Sequence, residues 1–262
     1  MHSSIENRRI VSLAKDRALL YEHLSQNIGG NVYQIGDLEE PFWSNTMWYG
    51  YFDGSELRSI IMRYMDVNLP VYLILDNGID IDTLSAFLMH MPDRAYLHVN
   101  PAYADVVSEC YRTVSHGRHK KMYLQNQESF PQHGNVSPLL DSDEALSFYK
   151  EAYPGSFFNP AMLETGCYVG IREHGIIVAA GGVHVISKRF RTAAIGNIAV
   201  HQSSRGRGYG RIIMEAVITR LREKGIRHIG LNVAEVNTPA RKIYENLGFA
   251  YVREYLELDC YR

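Results

Sequence analysis

Cysteine is scarce in this chain and long apolar runs are missing. Cys110, Cys167 and Cys260 are its three cysteines, widely spaced and without a Cys-x-x-Cys pair. That spacing excludes a zinc knuckle and a disulfide framework, so the expectation is no metal and a reducing compartment. No apolar stretch is long enough to span a bilayer, and Met1–Arg9 lacks the apolar run of a secretory leader. Together these predict a cytoplasmic protein with no membrane partner. An excess of one charge is also lacking. The 27 Lys and Arg stand against 29 Asp and Glu, a formal net charge of −2, which argues against nucleic acid as the main partner. The basic cluster His116–Lys121 reads as a solvated loop.

What is present suffices for a core. Hydrophobic residues make up 46% and charged residues 21% of 262, enough for one large domain or two ordinary ones. The 18 tyrosines suit either an interface or a ligand groove and decide nothing alone.

The first half mixes strands and helices. Ile10, Leu13, Ala14, Leu20 and Leu24 recur at roughly helical spacing and predict a helix over about Arg9–Asn27, ended by Gly29 and Gly30. Strands are expected at Trp48–Phe52, Ser59–Tyr64, Pro70–Leu75 and Tyr96–Val99. Helices are expected at Asp80–His90, capped by Asp82, and at Ala102–Cys110. The polar, turn-rich stretch Gln125–Pro138 is the best linker candidate, giving an N-terminal α/β domain over 1–130 and a second domain over 131–262. In the second, a helix starts at Ser142 and a short one covers Ala161–Thr165. Strands fall at Cys167–Ile171, Ile176–Ile186 and Ala193–Val200, followed by a helix Gly210–Lys224, a strand His228–Val233, a helix opened by Asn237 and Pro239, and a final strand Tyr251–Leu258.

Between the strand ending at Val200 and the helix from Gly210 lies Arg205-Gly-Arg-Gly-Tyr-Gly-Arg211. A glycine-rich turn opening a helix aims several N–H groups at one point and makes an anion cradle. Arg205, Arg207 and Arg211 add positive charge. The spacing Gly206-x-Gly208-x-Gly210 fits neither the dinucleotide fingerprint nor a P-loop, and the kinase signatures are absent. A plain structural turn remains open on this pattern alone.

A second element follows the next strand: Asn237-x-x-Ala240-Arg-x-x-Tyr244-x-x-Leu247-Gly-Phe249. Together, in this order, the two resemble the acetyl-CoA-binding core of the GNAT superfamily of N-acetyltransferases, closely over Ala193–Phe249 and more loosely back to Val136. The resemblance implies an α/β (α+β) fold, a mixed, centrally parallel sheet flanked by helices. The arrangement of the first half, with Tyr72–Leu75 and Ala95–Val99, resembles the two-domain glycine N-acyltransferase-like branch, which makes it a degenerate GNAT copy.

The resemblance further implies acetyl-CoA as cosubstrate. Arg205, Gly206, Arg207, Gly208, Tyr209, Gly210 and Arg211 would hold its pyrophosphate, Ile198, Ala199 and Val200 its pantetheine arm through backbone groups, and Asn237 would contact it. Ile198 and Val200 also fit a core strand, and Asn237 a plain helix cap. Tyr244 would touch the cofactor and protonate the leaving thiolate, or else fill the core; Arg241 reads as a solvated helix residue. The acidic base common on these strands is missing, since Asn197 and Asn232 are neutral amides. Glu235 is the candidate base, with Glu164 and His184 behind it; deprotonation through ordered water needs none of them. Trp43, Trp48, Tyr49 and Tyr51 either line a cleft between the halves or fill the core. The expected activity is transfer of an acetyl group to a primary amine by direct attack, the acceptor being a small amine, an amino acid or a protein amine. The alternative is an acetyl-CoA-holding sensor or scaffold without turnover. A homodimer stays open.

Overall fold

The computed structural model describes residues 8–13, 16–65, 69–126 and 128–262. The expectations placed on Met1–Asn7, Ala14 and Gln127 lie outside them. The first half runs β1 (Arg8–Ser12), α1 (Arg17–Ser25), α2 (Val32–Gly36), β2 (Thr46–Asp53), β3 (Glu56–Tyr64), β4 (Val71–Ile74), α3 (Ile81–Met89), β5 (Arg94–Val99), α4 (Ala104–Cys110) and β6 (Arg112–Leu124). The second runs β7 (Val136–Pro138), α5 (Ser142–Ala152), β8 (Val169–Glu173), β9 (Ile176–Ser187), β10 (Thr192–Val200), α6 (Tyr209–Glu223), β11 (His228–Ala234), α7 (Thr238–Asn246) and β12 (Phe249–Tyr261).

The described strands form one sheet in the order β1-β2-β3-β4-β5-β12-β6-β11-β10-β9-β8-β7. Each flank lays five strands side by side in chain order. In each, the fourth and fifth are parallel and joined by a helix, β4-α3-β5 and β10-α6-β11, while the other pairs are antiparallel. The flanks meet by exchange. The chain's last strand, β12, lies between β5 and β6, and β6 lies between β12 and β11. Each half therefore gives one strand into the territory of the other.

One sheet face carries α6 and α7, whose Ile213, Val217, Leu221, Tyr244 and Leu247 pack with Ile195, Leu231 and Val233. Each fully buried aliphatic side chain here stabilises the fold by roughly 1.5–3 kcal/mol. The other face carries α5, which packs Phe148 and Tyr149 against Tyr168 and Ala199. It also carries α2, whose Val32 packs with Val185 and Ala194. A helix of the first half thus lies on the sheet of the second.

Several expectations change. Arg9–Asn27 is not one helix. Ile10 pairs with Tyr51 in an antiparallel ladder, and the helix begins only at Arg17, where the Asp16 carboxylate accepts from the Leu19 N–H. Pairing with β2 overrides the local helical spacing. Asp80 rather than Asp82 caps α3, accepting from the Thr83 N–H. Ala102–Cys110 divides into a tight 3₁₀ turn, Pro101–Tyr103, and α4, and Ala161–Thr165 belongs to a 3₁₀ segment, Pro160–Thr165. The largest revision is His116–Lys121. It is no loop but part of the central strand β6, paired with β12 from Gly117 onward and with β11 as well from His119. Trp48 and Tyr51 are core residues. Trp43 packs with Trp48 at 6.2 Å, and Tyr49 lines a cavity of about 390 Å³ within the first half.

Candidate active site

The site begins where β10 and β11 part. Their parallel register runs from Thr192↔His228 to Ile195↔Leu231 and stops. Both facing edges beyond it, from Gly196 and from Asn232, lack a partner strand. A bulge causes the parting: Gly196 pairs with Gly182, but the next pair is Ala199↔Ala180, so β10 holds one residue too many and bends. Asn197 absorbs the bend at φ 54°, a left-handed conformation that asparagine tolerates better than most. Its amide donates to the Tyr168 hydroxyl (2.9 Å), and its carbonyl accepts from the Tyr149 hydroxyl (2.9 Å). Asn197 is therefore spent on holding the bulge. Ile198, Ala199 and Val200 follow it along the opening, Ile198 and Val200 packed against the α6 core and Ala199 against the α5 core.

Below the opening the chain turns into α6. Gly206 and Gly208 sit at φ 79° and 80°, and a Cβ on either would meet no atom within 4 Å. The fold gives no steric reason for glycine there; the backbone angle and the open space in front of it do. The N–H groups of Gly206, Arg207 and Gly208 find no acceptor among the described residues. Those of Tyr209 and Gly210 open the first turn of α6, where no intrahelical acceptor exists. Five consecutive N–H groups without an acceptor among the described residues thus sit at a helix N-terminus, where an anion is favoured. A Cβ on Gly210 would come 3.6 Å from Ile243 and 3.8 Å from Val200, ordinary contact distances, so packing there does not demand glycine. The arginines contribute less free charge than their number suggests. Arg207 pairs with Glu173 at 2.8 Å and Arg211 with the buried Glu215 at 2.7 Å, while Arg205 donates to the Val200 carbonyl at 3.3 Å. The Tyr209 hydroxyl also donates to Glu173, and it, followed by Arg207, holds that carboxyl below its usual range.

Tyr244 comes from α7, whose first turn is capped by Asn237 accepting from the Ala240 N–H (3.2 Å). Its ring lies in the core beside Phe249, 6.1 Å between centroids. Its hydroxyl has no hydrogen-bond partner among the described residues, and burial raises its pKa to about 12. The phenol keeps its proton throughout the physiological range. Arg241 donates to the Glu235 carbonyl (3.0 Å) and lies 3.8 Å from Glu245. The Glu235 carboxylate is paired with Lys120 at 3.3 Å. Glu164 is exposed. The His184 ring lies flat against Gly196, where a Cβ would come within 2.2 Å of it.

The opposite wall of the opening comes from residues that the sequence pattern did not single out. Tyr33 of α2 reaches His184 Nδ1 with its hydroxyl at 3.4 Å. The Lys121 ammonium sits 4.9 Å over the Tyr33 ring and 5.5 Å over Tyr255, and Lys121 stands opposite Asn232 in the ladder. Alternation of His119, Lys121 and Tyr123 was the available signal, but its polar face read as solvent. Burial pushes Lys121 down to about 7 and Asp37, on the same face, up to about 7, with Lys121 opposing the latter shift. A raised carboxyl pKa stabilises the fold below the unfolded value, near 4, and that contribution fades as pH climbs through 7. Replacing Asp37 by Asn, which mimics the protonated acid, should therefore become relatively more stabilising from pH 4 to 7, by roughly 1–4 kcal/mol. Denaturant unfolding of both proteins across that range measures it; a flat difference would remove the buried acid.

Among the described residues no cluster of three metal-ligating side chains occurs, and no helix is long and apolar enough to cross a membrane. Residues 128–249 match the family model described as "Acetyltransferase (GNAT) family". Over 57 residues, 22% of this chain, it is 40% identical to a streptothricin acetyltransferase of Streptomyces lavendulae. Over the same length it is 39% identical to a [ribosomal protein bS18]-alanine N-acetyltransferase of Haemophilus influenzae. These alignments cover only 30% and 38% of the relatives' lengths. Solved structures match nearly end to end. A Drosophila protein superposes with TM-score 0.73 at 10% identity, over 96% of this chain and 98% of its own. A tandem GNAT protein from the clavulanic acid biosynthesis pathway superposes with TM-score 0.56 at 14% identity, over 96% and 98%. At such identities the likeness is one of fold.

Proposed function

Since the C-terminal half of this chain is a domain of the GNAT family of acetyltransferases, we propose that the protein transfers an acetyl group from acetyl-CoA to a primary amine. The observation that carries this reading is the row of five free N–H groups at Gly206–Gly210, placed just below the gap between β10 and β11. A pyrophosphate fits the row, because no side chain fills the space before Gly206 and Gly208. The pantetheine arm would run along Ile198, Ala199 and Val200, whose edge toward β11 is free of a strand.

The acetyl thioester supplies an activated carbonyl. Backbone N–H groups on β10 near the bulge polarise it, and the amine attacks from the α2 and α5 side. Tyr244, on the α7 side of the same gap, gives its proton to the departing sulfur. Asn237 is committed to its cap, so its share in holding the cofactor is through the chain direction at the start of α7.

The two halves, taken as 1–130 and 131–262, are read as two copies of one fold of which only the second binds the cofactor. The position in the first half that corresponds to the glycine turn precedes α3. There the Asp80 carboxylate occupies the helix N-terminus, accepting from the Thr83 N–H (3.0 Å) and the Tyr51 hydroxyl (2.8 Å). An anion is repelled from such a site. Calorimetry with coenzyme A should accordingly give one site per chain. Two sites would contradict the blocked α3 terminus, and none would refute the acyltransferase reading.

Acceptors are sought among small amines, free amino acids and peptides with a free N-terminal alanine, in keeping with a reduced, cytoplasmic setting. A second reading, a holder of acetyl-CoA without turnover, draws on the neutral amides at Asn197 and Asn232. Thiol release against that acceptor panel separates the two.

A further inference from the structure

The base candidates on and just beyond the expected strands are each engaged elsewhere or neutral. Asn197 holds the bulge, Asn232 is an amide, and Glu235 is tied to Lys120. The geometry points to His119, a residue of the first half, as the general base of the acyl transfer, with Glu257 as the carboxylate that positions its ring. This rests on the acyltransferase reading above.

β6 places His119 directly opposite Ala234 of β11 and Tyr255 of β12. Ala234 lies on the stretch of β11 that has lost its β10 partner. Residues two apart on a strand share a face, so His119 stands on the side of Lys121, which meets Tyr33 and, through it, His184 at the bulge. The imidazole is on the acceptor side of the gap, and Tyr244 is on the other.

Its two nitrogens differ. Nδ1 is enclosed, with no hydrogen-bond partner, and lies 3.7 Å from Glu257 Oε1. Nε2 makes no hydrogen bond among the described residues, and the side chain keeps 16% exposure. The Tyr255 ring stacks on the imidazole at 5.5 Å. Glu257 is itself held by the hydroxyls of Tyr96 (2.6 Å) and Tyr255 (3.0 Å). Burial works against its charge, but His98, Tyr96 and His119 outweigh that and keep its pKa below the usual range. An anion beside Nδ1 draws the ring proton to that nitrogen and leaves Nε2 as the lone-pair acceptor, the arrangement a general base needs. His98, 3.6 Å from the same carboxylate, is pushed to about 4 by burial and stays neutral. The other charged or titratable groups facing this row include Lys121, Arg253 with its partner Asp76, His23 beside Asp76, Tyr33 and Asp37.

In the reaction the amine nitrogen bonds to the acetyl carbon and the C–S bond breaks. The surplus N–H proton passes to His119 Nε2, directly or through one water, and the sulfur takes the proton of Tyr244. His119 then releases its proton to solvent, and Tyr244 regains one.

The test uses the full chain, acetyl-CoA and whichever amine of the panel turns over fastest. His119→Gln should lower kcat about 10²-fold, leave KM for acetyl-CoA within about twofold and abolish the acid limb of the kcat profile. Glu257→Gln should lower kcat and leave KM for acetyl-CoA unchanged, because the ring loses the carboxylate beside Nδ1 that orients it. In the unmutated protein, ¹⁵N shifts should show neutral His119 protonated on Nδ1, a readout that needs no variant to fold. A native rate and native acid limb in His119→Gln, or an Nε2–H tautomer in the native protein, would overturn the assignment. If the native chain neither binds coenzyme A nor releases thiol, the acyltransferase reading itself is lost, and the base assignment with it.

Discussion

Replacing Tyr244 by Phe should lower kcat roughly 10³-fold while the dissociation constant for acetyl-CoA stays within about twofold. The substitution removes one oxygen and keeps the ring that packs beside Leu247 and Phe249, so stability should hardly move. The hydroxyl has no partner among the described residues, and no internal hydrogen bond is broken. All of the loss should then fall on the step in which the thiolate leaves. Burial raises this phenol to about 12, and under the acyltransferase reading the same surroundings would penalise a bare thiolate, so the proton would stay on Tyr244 until the sulfur needed it. The sign follows: an acid with a raised pKa remains active as pH rises, and kcat should show no alkaline fall from Tyr244 below about pH 11. Steady-state kinetics over pH 6–10, alongside calorimetry, measures both quantities. Equal losses in kcat and in affinity would reduce Tyr244 to a packing residue.

Gly208→Val should weaken coenzyme A binding by about 10²-fold and leave the fold standing. At φ 80° a β-branched residue costs roughly 1–2 kcal/mol, which for a chain of this length is a fall in Tm of a few degrees. The rest of the effect is spatial. The added Cβ meets no protein atom within 4 Å, so the side chain would enter the open space where the pyrophosphate would lie. Calorimetry and a thermal melt together test this: a large loss of Tm with unchanged affinity would make the turn structural only. Gly225, also at φ 80° with no atom within 4 Å of a Cβ, is the control. The same replacement there should carry a similar strain at the end of α6 and no loss of affinity.

How much of this was legible in the residues depends on distance along the chain. From Ser142 onward, strand, turn and helix signals are local and agree with one another: Asp141 caps α5, Asn237 caps α7, and Gly225 follows α6. In the first half, β1 was hidden because its apolar residues fit a helical period about as well as a strand. β6 was hidden because Arg118, His119, Lys120 and Lys121 look like a solvent-facing run. They are strand residues because β12 and β11 flank them, and β12 lies more than a hundred residues away. No local periodicity encodes such a pairing.

The glycine turn and the helix that follows β11 were written in the sequence: glycines where the backbone turns left-handed, a cap, a tyrosine two turns further on. Each is a matter of φ angles and of spacing within one turn or helix, and such features survive without knowledge of the rest of the chain. The opposite wall of the opening was decided by tertiary structure. Tyr33, His119, Lys121 and Glu257 come from α2, β6 and β12, and they meet because the halves exchange strands and lay a helix of one across the sheet of the other. That arrangement depends on burying the apolar faces of both halves at once, a condition on the whole chain that no segment carries alone.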